Sequence, residues 1–138
     1  MRDDPIFWRR LIAALITVTE QGRVPWRDTQ PDEPKLRSFF PDGMVHLILP
    51  EEGAWPPYVK LFGRWQEPFA EFHPELPEDL DLVERLYRLA DRIKLDEEDD
   101  ILTWSRGKKL VHLEEIYRDI DKELAAKNKS ATTARVGG

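Results

Sequence analysis

Phe7, Trp8, Leu11, Ile12, Leu15, Ile16 and Val18 recur at the spacing that gathers side chains on one face of an α-helix. Both ends of that helix are written in the chain. Asp4 suits the N-cap, Pro5 the first helical position where its missing N–H costs nothing, and Gly22 the C-terminal stop. The pattern predicts a buried helix between Pro5 and Gly22 that organises the core. The apolar run Leu11 to Val18 behind Arg9 and Arg10 is too short for a membrane span, and no small-residue cleavage site follows it. The expected location is therefore the cytoplasm.

From Val24 the period changes and turn residues appear. Val24-Pro25-Trp26 suits a short strand that Pro25 confines to a sheet edge. Lys35 to Phe40 and Met44 to Leu49 flank Pro41-Asp42-Gly43, a three-residue hairpin signal. Pro50 to Gly53 marks a second turn, extended by Pro56 and Pro57. Tyr58 to Phe62 reads as a further strand and Phe69 to Phe72 as another. After Pro77 the helical period returns through Leu82, Val83, Leu86, Tyr87, Leu89, Ala90 and Ile93. Glu78 and Asp79 lie in the first turn, where they complement the helix dipole. Asp81–Arg85 and Glu84–Arg88 have the favourable acid-first spacing. Ile101 to Arg106 fits a short helix or an extended piece. From Lys108, Leu110, Leu113, Ile116, Tyr117, Ile120 and Leu124 describe a last amphipathic helix.

This order predicts an α+β fold: an N-terminal helix, a three- or four-stranded antiparallel meander, then two or three C-terminal helices. One domain spans residues 1–126, and 127–138, poor in large apolar residues, reads as a flexible tail. The 138 residues include no Cys, which removes disulfides, thiolate nucleophiles and Cys-ligated zinc from consideration. No cofactor-binding motif is present, so no cofactor is expected.

Thr19-Glu20-Gln21-Gly22-Arg23-Val24-Pro25-Trp26 resembles the T-x-x-G-x-[hydrophobic]-x-W helix-to-strand junction of a group of small bacterial α-β-β-β-α domains. Leu86-Tyr87-Arg88-Leu89 is similar to a segment of their following helix. The resemblance covers about the first ninety residues in outline. It implies the helix–sheet–helix order and a bacterial cytoplasmic origin, and no activity. Pro25 and the proline-rich stretch 54–57 depart from the group's pattern.

Charge changes the picture most. Glu67 to Asp100 holds thirteen acids and four bases, a net −9 in a chain of net −6. The remainder is mildly basic. Gathered acid points to a basic partner or to solubility. The first forty residues hold seven bases and six acids, not the footprint that phosphate contacts require, so nucleic acid is not the expected partner.

Individual motifs carry less. Glu71-Phe72-His73-Pro74-Glu75 sets an imidazole between two carboxylates, short of the converging ligands a metal needs. Asp96-Glu97-Glu98-Asp99-Asp100 lacks the spacing and the glycine of a calcium loop. His46 and His112 are isolated in sequence. The leading expectation is a non-enzymatic, acidic protein-interaction module that binds a basic protein through Trp55, Tyr58, Glu97, Asp99 and Asp100. A proline-fixed Trp and Tyr are low-entropy contacts, and the acids steer the encounter. No catalytic, cofactor-binding or metal residues are assigned. The first alternative is a metal-assisted hydrolase with a dispersed site at His46, Glu71 and His73. The second rests on Gly137-Gly138, which resembles the end of a ubiquitin-like modifier.

Overall fold

Asp4 Oδ1 accepts from the Ile6 N–H at 2.9 Å and Pro5 takes the first position, so α1 (Pro5–Glu20) begins where its cap is written. It ends before Gly22, whose φ of +70° is the left-handed conformation that glycine adopts without strain. The computed structural model describes residues 4–28, 35–50, 55–96 and 98–137, without the side chains of Lys35 and of 128–137. The elements after α1 are β1 (Trp26–Asp28), β2 (Lys35–Phe40), β3 (Gly43–Ile48), β4 (Tyr58–Phe62) and β5 (Pro68–Phe72). Three helices follow: α2 (Pro77–Ile93), α3 (Ile101–Ser105) and α4 (Leu113–Gly137).

The strands form one antiparallel meander in the order β1-β2-β3-β4-β5. The fold is α+β, as the sequence predicts, with five strands where three or four are expected. The short edge strand read at Val24–Trp26 forms instead as β1 at Trp26–Asp28, with Pro25 just outside the ladder. Alternation divides the sheet cleanly. Trp26, Leu36, Ser38, Val45, Leu47, Val59 and Leu61 are all buried on the face that meets the helices. Ser38 lies opposite Trp26, and a small side chain there leaves room for the indole.

Helix α1 is the centre of the packing. Phe7, Trp8, Leu11, Ile12 and Leu15 are fully buried, with Trp8 stacked on Phe72 at 5.3 Å and Phe7 against Tyr117 at 6.0 Å. Its last turn is tied to the sheet, because the Trp26 indole N–H donates to Thr19 Oγ1 at 3.1 Å and both residues are buried. Arg9 crosses to α2, where Nε donates to Asp79 Oδ1 at 2.6 Å and a terminal nitrogen reaches Glu78 at 3.1 Å. Asp79, read from the sequence as a first-turn acid, is thus a buried carboxylate paired with another helix.

The last helix starts later than its apolar spacing predicts, at Leu113 rather than near Lys108. The reason is a cap from distant sequence. Asp42, in the β2–β3 turn, accepts from the N–H groups of Leu113 at 2.9 Å and Glu114 at 2.8 Å. A carboxylate on two otherwise orphaned helix donors fixes where the helix begins. The backbone of Lys127 to Gly137, read from the sequence as tail, continues α4; Gly138 lies outside the described residues.

Two substitutions test this framework. Asp42→Ala leaves the first N–H groups of α4 without their acceptor and is expected to cost about 1–2 kcal/mol in chemical denaturation, with faster amide exchange at Leu113 and Glu114. Thr19→Val keeps shape but strands the buried indole N–H of Trp26, an expected loss of about 1–3 kcal/mol by the same measurement.

Candidate interaction site

The acids between Glu67 and Asp100 do not all face solvent unopposed. Glu78 and Asp79 bind Arg9, Glu84 binds Arg88 at 2.9 Å, and Asp91 binds Lys94 at 2.9 Å. Lys94 also reaches Asp28 of β1 at 2.8 Å, and the hydrogen bonds its ammonium donates to Asp28 and then Asp91 raise its pKa. Among the described residues, Glu75, Asp81, Asp96 and Glu98 form no ion pair, and neither do Asp81 and Arg85 with each other. The acidic stretch is therefore partly neutralised by the chain's own cations, two of which, Arg9 and Lys60, lie outside it.

The expected contact residues are dispersed. Asp100 caps α3, accepting from the Leu102 N–H at 3.0 Å and the Thr103 hydroxyl at 3.1 Å. Asp99 accepts from the Asp96 N–H at 2.9 Å. Both carboxylates thus hold their own loop in shape, while Glu97 lies outside the described residues. Next to them Leu102 is 76% exposed. Trp55, 47% exposed, meets Tyr87 edge-on at 5.5 Å and lies under the Arg88 guanidinium at 5.5 Å. Tyr58 is half-buried and stacks on His73 at 4.4 Å.

Trp65 is the residue that the sequence reading overlooks. It is 83% exposed at the tip of the β4–β5 hairpin. The tip is closely held. Gly63 N–H donates to the Glu67 carbonyl at 2.9 Å, Gln66 N–H to the Gly63 carbonyl at 3.0 Å, and Trp65 N–H to Glu67 Oε2 at 2.9 Å. The Glu67 carboxylate folds over Gly63 so closely that a Cβ there would collide with it. Gln66 adopts φ +65°, an uncommon conformation for a side-chain-bearing residue. Beside the tip lies a groove of about 450 Å³ lined by Asp42, Phe62, Gly63, Arg64, Trp65, Glu67, Phe69, Glu114 and Tyr117. Its side chains are apolar rings with three carboxylates against one guanidinium. The available signal was Gly63-Arg64-Trp65-Gln66, a Trp inside a turn between two strands.

The sheet face turned away from the helices carries a second grouping. Arg27, Arg37, His46, Lys60 and Glu71 stand directly opposite one another on successive strands. The hydrolase alternative is favoured where two of His46, Glu71 and His73 come within ligand distance of each other. Glu71 and His73 do meet, but by a direct hydrogen bond at 3.0 Å, while Lys60 approaches the other Glu71 oxygen at 3.4 Å. His46 is two strands away, with Lys60 between. It is 8% exposed and packed on Phe62 at 4.3 Å. Among the described residues no three His, Asp or Glu side chains are grouped to hold a metal ion.

No helix among the described residues is long and apolar enough to cross a membrane. The chain matches no family model, no curated protein and no solved structure.

The Glu71 cluster has a measurable signature. The hydrogen bond from His73, reinforced by Lys60, lowers the Glu71 pKa. A depressed carboxyl contributes stability that is present above its unfolded pKa and is lost as pH falls through its folded one. In an NMR titration Glu71 should therefore show a midpoint below the usual glutamate value of about 4.3, and His73→Ala should move it upward.

Proposed function

We propose that the chain is a non-enzymatic acidic protein-interaction module of the bacterial cytoplasm, an accessory subunit, inhibitor or immunity-type partner that docks on a basic protein surface. The observation that carries this reading is Trp65, presented in solvent on a turn held by the chain's own hydrogen bonds. A large ring with few rotamers and a fixed backbone loses little entropy on contact, which is why Trp recurs at the energetic centre of interfaces. Glu67 and Glu114 beside it, with Asp42 deeper in the groove, favour a partner that brings lysine or arginine. The net charge of −6, with Glu75, Asp81, Asp96 and Glu98 in no ion pair among the described residues, steers such a partner from a distance. Trp55 and Leu102 are further exposed apolar side chains.

The partner is to be recovered by chemical crosslinking from cells that produce the chain, purified, and titrated against wild type and variants by calorimetry. Trp65→Ala is expected to weaken binding by about 30-fold, the size of a hot-spot loss, without lowering the melting temperature. Raising salt is expected to slow association. A purified partner that binds Trp65→Ala as tightly as wild type, and is indifferent to salt, would overturn the reading.

A further inference from the structure

The sheet face turned away from the helices has an organisation that the acidic composition hides. Strand register sets Arg27, Arg37, His46 and Lys60 in one line across β1 to β4. Adjacent strands lie about 4.8 Å apart, so the line runs for about 14 Å. Rings flank it. Phe39 and Phe62 stand on one side of the line, and Tyr58 on the other. The cations are held by these rings, with the Arg37 guanidinium 5.0 Å from the Phe39 centroid and the Lys60 ammonium 5.6 Å from that of Phe62. Arg27 Nε and Arg37 Nε are shielded from solvent and have no hydrogen-bond partner among the described residues. Two arginines face each other directly, Arg27 opposite Arg37, an arrangement that costs stability unless an anion relieves it. Glu71 closes only the β5 end of the line, through Lys60.

We infer that this face binds single-stranded nucleic acid, with Arg27, Arg37 and Lys60 on its phosphates and Phe39, Phe62 and Tyr58 beside its bases. Arg27, Arg37 and Lys60, spread along this line, offer three cations to the phosphates of one strand. An open antiparallel sheet with outward rings and interleaved cations is a stacking platform for unpaired bases. An acidic peptide is the less suitable occupant. Peptides add to sheet edges, and here β1 is three residues long and β5 begins with Pro68. The overall −6 does not oppose the assignment, because the acids of α2 stand on a helix outside the sheet and not on this line. The low basic excess of the first forty residues argued against nucleic acid only while the strands were unregistered.

The test is fluorescence anisotropy with a labelled ten-nucleotide single strand of mixed sequence, as RNA and as DNA, at 50 mM salt. Wild type is expected to bind, about 18-fold more weakly at 200 mM salt, as three phosphate contacts at a slope of about −0.7 each require. Arg37→Gln with Lys60→Gln keeps side-chain length and is expected to weaken binding at least tenfold. In wild type, NMR shifts on titration should concentrate at the amides of Arg37, His46 and Lys60, which reads the site even if a variant fails to fold. Tighter binding of RNA or of DNA identifies the natural strand, and either supports the inference. Equal binding of a polyglutamate peptide would overturn it in favour of an acidic protein, as would shifts confined to the Trp65 hairpin or no binding at 100 µM protein. Trp65→Ala should leave strand binding intact, so this inference and the protein-docking proposal fail separately.

Discussion

Trp26 is the residue through which the layers are held together. Its indole N–H is buried and satisfied by the hydroxyl of Thr19 on α1. Its backbone carbonyl accepts from the Leu95 N–H at 2.8 Å, just beyond the end of α2. One side chain and one peptide group therefore join the first helix, the first strand and the second helix. The connection demands a reversal within a few residues, which Gly22 supplies through its left-handed backbone. A buried indole donor without an acceptor costs about 1–3 kcal/mol, so Thr19 and Trp26 constrain each other. The T-x-x-G-x-[hydrophobic]-x-W spacing of the junction thus has a physical reading: the Thr accepts, the Gly turns and the Trp donates.

Charge is sorted by layer. The helical layer carries most of the acid, some of it consumed by Arg9, Arg88 and Lys94. The sheet's outer face carries a line of cations held by aromatic rings. The division follows from alternation. Each strand sends one set of residues into the core, so whatever polar residues it carries emerge together on the other face. Antiparallel register then places Arg27, Arg37, His46 and Lys60 side by side. Net charge averages over both layers and describes neither.

The β4–β5 hairpin shows a different economy. Its carboxylate, glycine and strained Gln66 keep Trp65 out of the core and in water. Desolvating that ring in a complex is favourable, and the turn has already absorbed the conformational cost of placing it. The carboxylates that look most available in the sequence, Asp99 and Asp100, are instead occupied by backbone N–H groups of their own loop. At the start of α3, local capping thus consumes a carboxylate that the sequence leaves available.

Several features were legible in the chain itself. Helix α1 with its Asp4 cap, Pro5 and Gly22, the periodic face of α2 and the β2–β3 hairpin all rest on local chemistry: dihedral preference, capping and periodicity, although the expected three-residue turn shortens to Pro41-Asp42 because Gly43 pairs with Phe40 in the ladder. The antiparallel α+β order followed from them. What the chain could not declare depends on partners distant in sequence. Asp42 moved the start of α4 by capping it from 71 residues away. Arg9 drew Asp79 into the interior. Register converted four separate basic residues into one line, and turn geometry decided that Trp65 rather than Trp55 would be the most exposed indole. Hydrogen bonds and ion pairs between remote segments exist only once the chain is folded, so the tertiary structure alone determined which polar groups were consumed and which remained for a partner.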